Sequence, residues 1–261
     1  MLDRAFELRY QVYCVERRFL PSSHYPTGRE TDEHDDDSAH FGAYNAGNDL
    51  LGYVRLVQPT GGQFPFQQHC DTLLLDDERL PDAAECAEIS RLMVSKDYRS
   101  GGRLDNLRRV DEDDVAPTGD ARRAHESTGI LLQLYRGMYG YSLNSGIRYL
   151  YAAMERSLAR SLRRWNFGFT QISAETDYFG PVAVYMLDLR DLEARLMDSN
   201  PALLDWLRTT SASLESPAAL APLSAQALQV RHLAGSPERR SRERTPLPPL
   251  PAARVAELLT A

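Results

Sequence analysis

The apolar residues of this chain change period along its length, and that change limits the fold more than any single motif does. Residues 40–46 (HFGAYNA) and 50–57 (LLGYVRLV) are β-type runs separated by Gly-Asn-Asp, a pattern that predicts a β-hairpin. Residues 87–95 (AEISRLMVS) predict a further strand. From Ser127 to Leu143 the period lengthens. Ile130, Leu131, Leu134, Tyr135, Met138 and Tyr139 share one helical face there, and Gly146 stops the helix. IRYLYAAM then reads as a strand, MERSLARSLRRWNF as a helix, FTQISAE and PVAVYMLDL as strands, and DLEARLM as a helix. FELRYQVYCVERRF, near the start, has helical spacing. Hairpins together with crossovers require a mixed sheet covered by helices, an α/β sandwich.

At 261 residues and 43% hydrophobic the chain can build one core of ordinary size. The expected domain is 1–209. Within it, residues 103–125 mix both charge signs with Pro and Gly and are expected to form an inserted polar loop. Beyond Ser211 there is no aromatic residue, and 7 of the 15 prolines fall there, so 210–261 is expected to be a disordered tail. Its PLPPLP run suits either a polyproline ligand or a solvated extension. A net charge of −7 and a pI of 5.4 exclude a surface built throughout for nucleic acid or anionic lipid. Three cysteines without CxxC spacing suggest neither a disulfide framework nor structural zinc, and fit a reduced cytoplasm. No signal-peptide pattern and no apolar run of about 20 residues is present.

Charged residues concentrate in five places. Residues 29–40 (RETDEHDDDSAH) lack the Gly and closing Glu of a calcium loop; they suit either a solvated acidic loop or a site that holds an amine and helps accept its proton. Glu88-Ile-Ser90-Arg91 interrupts an apolar strand. Alternation puts Glu88 and Ser90 on one face and Arg91 on the other, which implies either a paired ion network or a wet edge strand. Arg55, inside the second hairpin strand, is either an exposed strand residue or a clamp for those carboxylates. Arg99-Ser-Gly101-Gly102 suits a phosphate cradle made of main-chain N–H groups, or a plain turn. Arg156, Arg160, Arg163 and Arg164 share one helix face, able either to meet an acidic carrier protein or simply to be solvated.

Taken in order, these residues resemble the acyl-homoserine lactone synthases and their relatives, the long-chain N-acyl amino acid synthases. Arg9, Tyr13 and Phe19 are similar to that family's opening Arg, Phe and Trp, with both aromatics changed. Glu30-x-Asp32-x-x-Asp35 matches its Glu-x-Asp-x-x-Asp, Arg55 stands where its strand arginine does, and Glu88-x-Ser90-Arg91 matches its Glu-x-Ser-Arg. LRYQVYCVERRFL, EISRLMVSKDYR and YFGPVAVYMLDL resemble the PEP-CTERM/exosortase system-associated acyltransferases more closely still.

The resemblance implies a GNAT-like three-layer α/β/α sandwich whose mixed sheet splays centrally, between AEISRLMVS and IRYLYAAM, to admit a thioester arm. It implies acyl transfer from an acyl carrier protein or CoA thioester to a small amine, with no permanently bound cofactor and no metal. Glu88 is the expected base, with Asp32 and Asp35 shaping the acceptor side. Arg9, Glu30, Arg55, Ser90 and Arg91 are expected to bind and order the acceptor site, and Val94, Arg99, Gly101 and Gly102 to hold the donor. The changed aromatics shift the expected product from a lactone to an N-acyl amino acid. Two competing readings are a non-enzymatic GNAT-like binding module and an N-acetyltransferase using acetyl-CoA.

Overall fold

The computed structural model describes residues 1–59, 63–70, 80–99, 119–164, 166–178, 180–209 and 228–233, without the side chains of 119–125. The chain opens with helix α1 (Leu2–Tyr10), which runs on as π-helical turns through Gln11–Glu16. β1 (Ser38–Tyr44) and β2 (Leu50–Val57) form the expected antiparallel hairpin. Its turn is tied by Asn45 and Asp49, each side chain bonding the other residue, with Asn48 at φ 65°, where an asparagine tolerates the left-handed conformation. Short helix α2 (Pro65–His69) precedes β3 (Cys86–Val94), which pairs antiparallel with β2.

Helix α3 (Gly119–Asn144) crosses over to β4 (Tyr149–Met154), parallel to β3. After α4 (Arg156–Arg164) come the two-residue strands β5 (Thr170–Gln171) and β6 (Thr176–Asp177), and then β7 (Pro181–Asp188), antiparallel to β4. α5 (Leu189–Ser199) and α6 (Pro201–Arg208) follow. Asp188 and Asn200 cap their first turns through Arg190 N–H and Leu203 N–H. β8 (Gln229–His232) returns to pair with β1, giving the order β5-β7-β4-β3-β2-β1-β8, with β6 beside β7.

The two sheet faces are unequal. One carries a single apolar cluster in which Phe41, Val54, Leu56 and Ile89 meet Ile130, Leu134 and Met138 of α3 and Leu196 and Trp206 of α5 and α6. α3 lies so close that a Cβ on Gly52 would stand 2.7 Å from Ile130 Cγ2. The other face carries two smaller clusters. One, with Tyr53, Met93 and Leu233, packs with Ala5 and Val12 of the N-terminal helices; the other, with Cys86, Tyr151 and Val184, packs with Phe64, Phe66 and Cys70. Along β3 the interval from Met93 to Cys86 holds Arg91, Ser90 and Glu88, so the polar residues occupy the seam between two dry patches.

β3 and β4 pair only through Cys86↔Tyr149, Ala87↔Leu150 and Glu88↔Tyr151. Both strands continue, yet they part at Glu88, which is the expected splay.

Three expectations change. Residues 119–125 belong to α3 and not to a loop, because the helix starts a turn and more before the periodic apolar stripe; 103–118 lie outside the described residues. The tail is not uniformly outside the domain: 229–232 form β8, because Val230 fills the space that Gly137 leaves and Leu233, just after the strand, is buried. FTQISAE contributes only the two-residue β5. Among the described residues no helix is long and apolar enough to cross a membrane.

Candidate functional site

Arg9 comes to the site from the last turn of α1 and is wholly buried. The following loop is pinned beneath that helix, since Glu30 N–H donates to the Phe6 carbonyl at 3.1 Å. It then turns back on itself. Asp32 N–H donates to Asp35 Oδ2 at 2.8 Å and His34 N–H to Asp32 Oδ1 at 3.0 Å, local bonds typical of aspartates in turns. Three carboxylates, Glu30, Asp32 and Asp35, are thereby gathered opposite Arg55 of β2 and Arg91 of β3.

The cluster closes on itself. Arg9 gives Nε–H to Glu30 and Nη1–H to Asp35, both at 2.5 Å. Arg55 donates from Nη1 to Asp32 and Asp35 at 2.6 Å, from Nη2 to Asp32 at 2.7 Å, and reaches Ser90 Oγ at 3.4 Å. Arg91 Nη2 donates to Glu30 at 3.1 Å and Asp32 at 2.9 Å. Three guanidinium groups thus meet three carboxylates, with charge-assisted bonds in fork geometry. Burial would raise the Glu30 carboxyl, but Arg91 and Arg9 hold it at about 2. Burial opposes Asp32 too, and Arg55 and Arg91 keep it well below the carboxylate range.

The sequence expectation fails for Arg91. Simple alternation put it opposite Ser90, yet both side chains reach the cluster. Arg91 takes φ 56° and the β2–β3 register shifts there, Ser90 facing Arg55 and Met93 facing Tyr53. A bulge inserts an extra residue and re-aims the side chain. A non-glycine residue in this backbone region is strained by roughly 1–3 kcal/mol, which its ion pairs offset. Its guanidinium also lies 5.0 Å from the Tyr13 ring, and Tyr13 sits 6.1 Å from Phe19.

Glu88 is treated differently. It is 4% exposed and makes no ion pair among the described residues; Oε2 accepts the Phe66 N–H at 3.0 Å. Burial pushes its carboxyl up to about 8 against the pull of that bond and of Arg55 and Arg91. A carboxyl held near neutrality beside an opening in the sheet can exchange a proton under ordinary conditions.

Of the donor-side residues, only Val94 and Arg99 are described. Val94 is buried in the α3-facing cluster, Arg99 donates to Glu16, and Gly101 and Gly102 lie outside the described residues. Arg156, Arg160, Arg163 and Arg164 are exposed on α4, whose Ala159 and Leu162 face inward. The three cysteines form no disulfide, and all are buried. Sequence reasoning missed the Phe66 amide. Pro65 at the first helical position, with Gln67 accepting from Phe64 N–H, is a readable helix start, but nothing in it announces a partner for Glu88.

The acetyltransferase (GNAT) domain family matches residues 8–109, a stretch that holds every member of the cluster and Glu88. No curated protein matches the sequence. Among solved structures, the CoA-dependent acyl-homoserine lactone synthase BjaI, with SAM and isopentyl-CoA, superposes at a TM-score of 0.56 and 22% identity, covering 85% of this chain and 90% of that one. The CoA-dependent acyl-homoserine lactone synthase MesI superposes at 0.51 and 17%, covering 79% and 85%. FeeM, an N-acyl amino acid synthase from uncultured soil microbes, superposes at 0.41 and 16%, covering 74% and 86%. The fold of this chain is that of GNAT-type acyltransferases.

Proposed function

We propose that this chain is an N-acyltransferase that moves a medium- or long-chain acyl group from a CoA or carrier-protein thioester to the amine of a small, amino-acid-like acceptor. The observation that carries the reading is Glu88: a buried carboxyl, outside the ion-pair cluster and near neutrality, at the point where β3 and β4 separate. The shared fold with CoA-dependent synthases supports a thioester donor. Arg91, a fifth exposed at its side chain, is the cationic member of the cluster best placed to meet a carboxylate on the acceptor.

In the reaction the amine nitrogen attacks the thioester carbonyl carbon. A C–N bond forms and the carbonyl becomes an oxyanion, for which main-chain N–H groups beyond the last β3–β4 pair are the donors at hand. Ionised Glu88 accepts the proton released by the attacking nitrogen. Collapse of the intermediate breaks the C–S bond, and the departing thiolate takes up a proton. Asp32 and Asp35, committed to arginines, serve as charged scaffolding that shapes the acceptor side. The sequence likeness to exosortase-associated acyltransferases points to an acceptor within such a system, and the exposed arginines of α4 favour a carrier-protein donor.

The test supplies purified protein with acyl-CoA and acyl carrier protein thioesters of graded chain length, acetyl-CoA included, and a mixture of amino acids. Thiol release is followed together with mass spectrometry of the products. N-acyl amino acids formed from longer donors support the reading. Transfer from acetyl-CoA alone supports the acetyltransferase reading, and folded protein that releases no thiol from any donor leaves a binding module.

A further inference from the structure

The cluster has a support outside its six members. His40 stands on β1 directly opposite Arg55 and is buried. Its ring lies edge-on to Phe6 of α1 at 6.1 Å and at 6.0 Å from the ring of Tyr53. Nε2 is 2.9 Å from the main-chain carbonyl of Asp35, and Nδ1 is 2.6 Å from the Tyr53 hydroxyl. A carbonyl oxygen only accepts, so Nε2 carries the proton. The lone pair of Nδ1 then accepts from Tyr53. Burial lowers the imidazole from its ordinary value against the pull of the Asp35 carbonyl and carboxylate, with Arg9 and Arg55 adding to the lowering; the neutral ring in a single tautomer satisfies both partners.

Asp35 is where the cluster is tied together. Oδ1 accepts from both Arg9 and Arg55, and Oδ2 accepts from Asp32 N–H. The carbonyl of the same residue is the one His40 holds. Release that carbonyl, and the turn that presents two carboxylates to three arginines loses the bond that anchors the Asp35 main chain and rests on its internal bonds and the ion pairs.

We propose that His40 is a positioning residue: its Nε2–H fixes the Asp35 turn on the arginines, and the Tyr53 hydroxyl holds it in the tautomer that does so. The inference deepens the reading of the acceptor site, and only its kinetic arm rests on the proposed activity. His40 touches neither Glu88 nor the splay, so its loss should act on the acceptor side and leave the donor side alone. The residue that follows β8 backs the arrangement, since Leu233 N–H donates to the His40 carbonyl at 2.8 Å.

The experiment compares full-length wild type with His40→Leu, His40→Gln and Tyr53→Phe. Glutamine places an amide N–H near the imidazole Nε2–H; leucine fills the volume without a donor. The expected result is kcat/KM for the amine lower by about tenfold to a hundredfold in His40→Leu, as for misplacement of a reactant site. Donor KM should hardly change, and His40→Gln should recover most of the loss. Equal losses in the leucine and glutamine variants, or a loss shared by donor and amine, overturn the proposal. Nitrogen-15 spectra of the imidazoles give an arm independent of turnover. A neutral Nε2–H form of His40 at pH 7 is expected, giving way to tautomer exchange in Tyr53→Phe; an imidazolium or an Nδ1–H form overturns the proposal. If wild type transfers no acyl group, the activity reading fails by that control. The spectra, with the Arg9 Nε–H resonance retained in His40→Gln and lost in His40→Leu, still decide the role of His40.

Discussion

The Glu30–Asp35 loop and residue 88 of β3 both bury carboxyl groups under the N-terminal half of the fold, within reach of the same arginines, and the two places reach opposite electrostatic states. In the loop, Glu30 receives a guanidinium fork from Arg91 and Asp32 one from Arg55, while Asp35 takes single N–H bonds from Arg9 and Arg55; the charge of Glu30 and Asp32 survives burial because it is matched. At Glu88 one main-chain N–H is the partner, and burial dominates. Depth therefore does not set the protonation of an acid in this protein; the number and geometry of its donors does. The matched set is suited to holding a shape, and the unmatched group to exchanging a proton.

Breaking the matched set should cost most. Arg55→Met removes the donor shared by Asp32 and Asp35 and leaves three carboxylates to two arginines, one buried charge in excess, with an expected loss of about 3–5 kcal/mol. Urea denaturation at pH 7 measures it, and a loss below about 1 kcal/mol would show that the cluster is not a buried unit. Glu88→Gln should do the reverse, lowering turnover by about a hundredfold to ten-thousandfold with little effect on the denaturation midpoint; near-wild-type turnover removes Glu88 from the mechanism.

Titration sharpens the contrast because the two regions have opposite signs. For Glu30 and Asp32 the folded pKa lies below the unfolded value, so their stabilisation is present above the ordinary carboxylate range and is lost as pH falls below it, for Glu30 toward about 2. For Glu88 the folded pKa lies above it, so the folded state binds the extra proton between about 4.5 and about 8 and loses stability as pH rises through that window. Glu88→Gln should flatten the upper slope and leave the acid limb untouched. Turnover should rise with pH through about 8 as the base ionises, and a rate independent of pH from 6 to 9 would contradict that assignment. The smallest expected effect belongs to Arg91→Lys, which keeps charge but loses the fork. A loss of about 1 kcal/mol is expected, with the midpoint of the acid limb moved upward.

Much of this was readable beforehand. The switch between periods two and 3.6 located the hairpin, β3, α3 and β4, and the order of charged motifs named all six cluster members and Glu88. What escaped depends on groups far apart in sequence. Alternation misplaced Arg91 because a bulge adds one residue, and only the register against β2 reveals it. Arg99 resembled part of a phosphate cradle, but Glu16 takes its guanidinium. No pattern in FPFQQH tells which carboxyl the Phe66 amide will meet, and that contact is what separates Glu88 from an ordinary strand glutamate. The composition beyond Ser211 concealed β8, since four residues contribute little to an average.

β8 also sets an order of events during biosynthesis. Its partner strand belongs to the first hairpin, so the sheet joins residues far apart in sequence, Phe41 opposite His232 and Tyr44 opposite Gln229. β1 and β2 can pair soon after they are made, but β1 keeps one row of unpaired main-chain groups until residues 229–232 arrive. A contact of such long range is slow to form, and an uncovered edge invites pairing with another nascent chain. Until residues 229–232 are made, the half of the sheet that carries His40 and Arg55 is exposed to that hazard, and a chain that stops short of Gln229 leaves the edge open permanently.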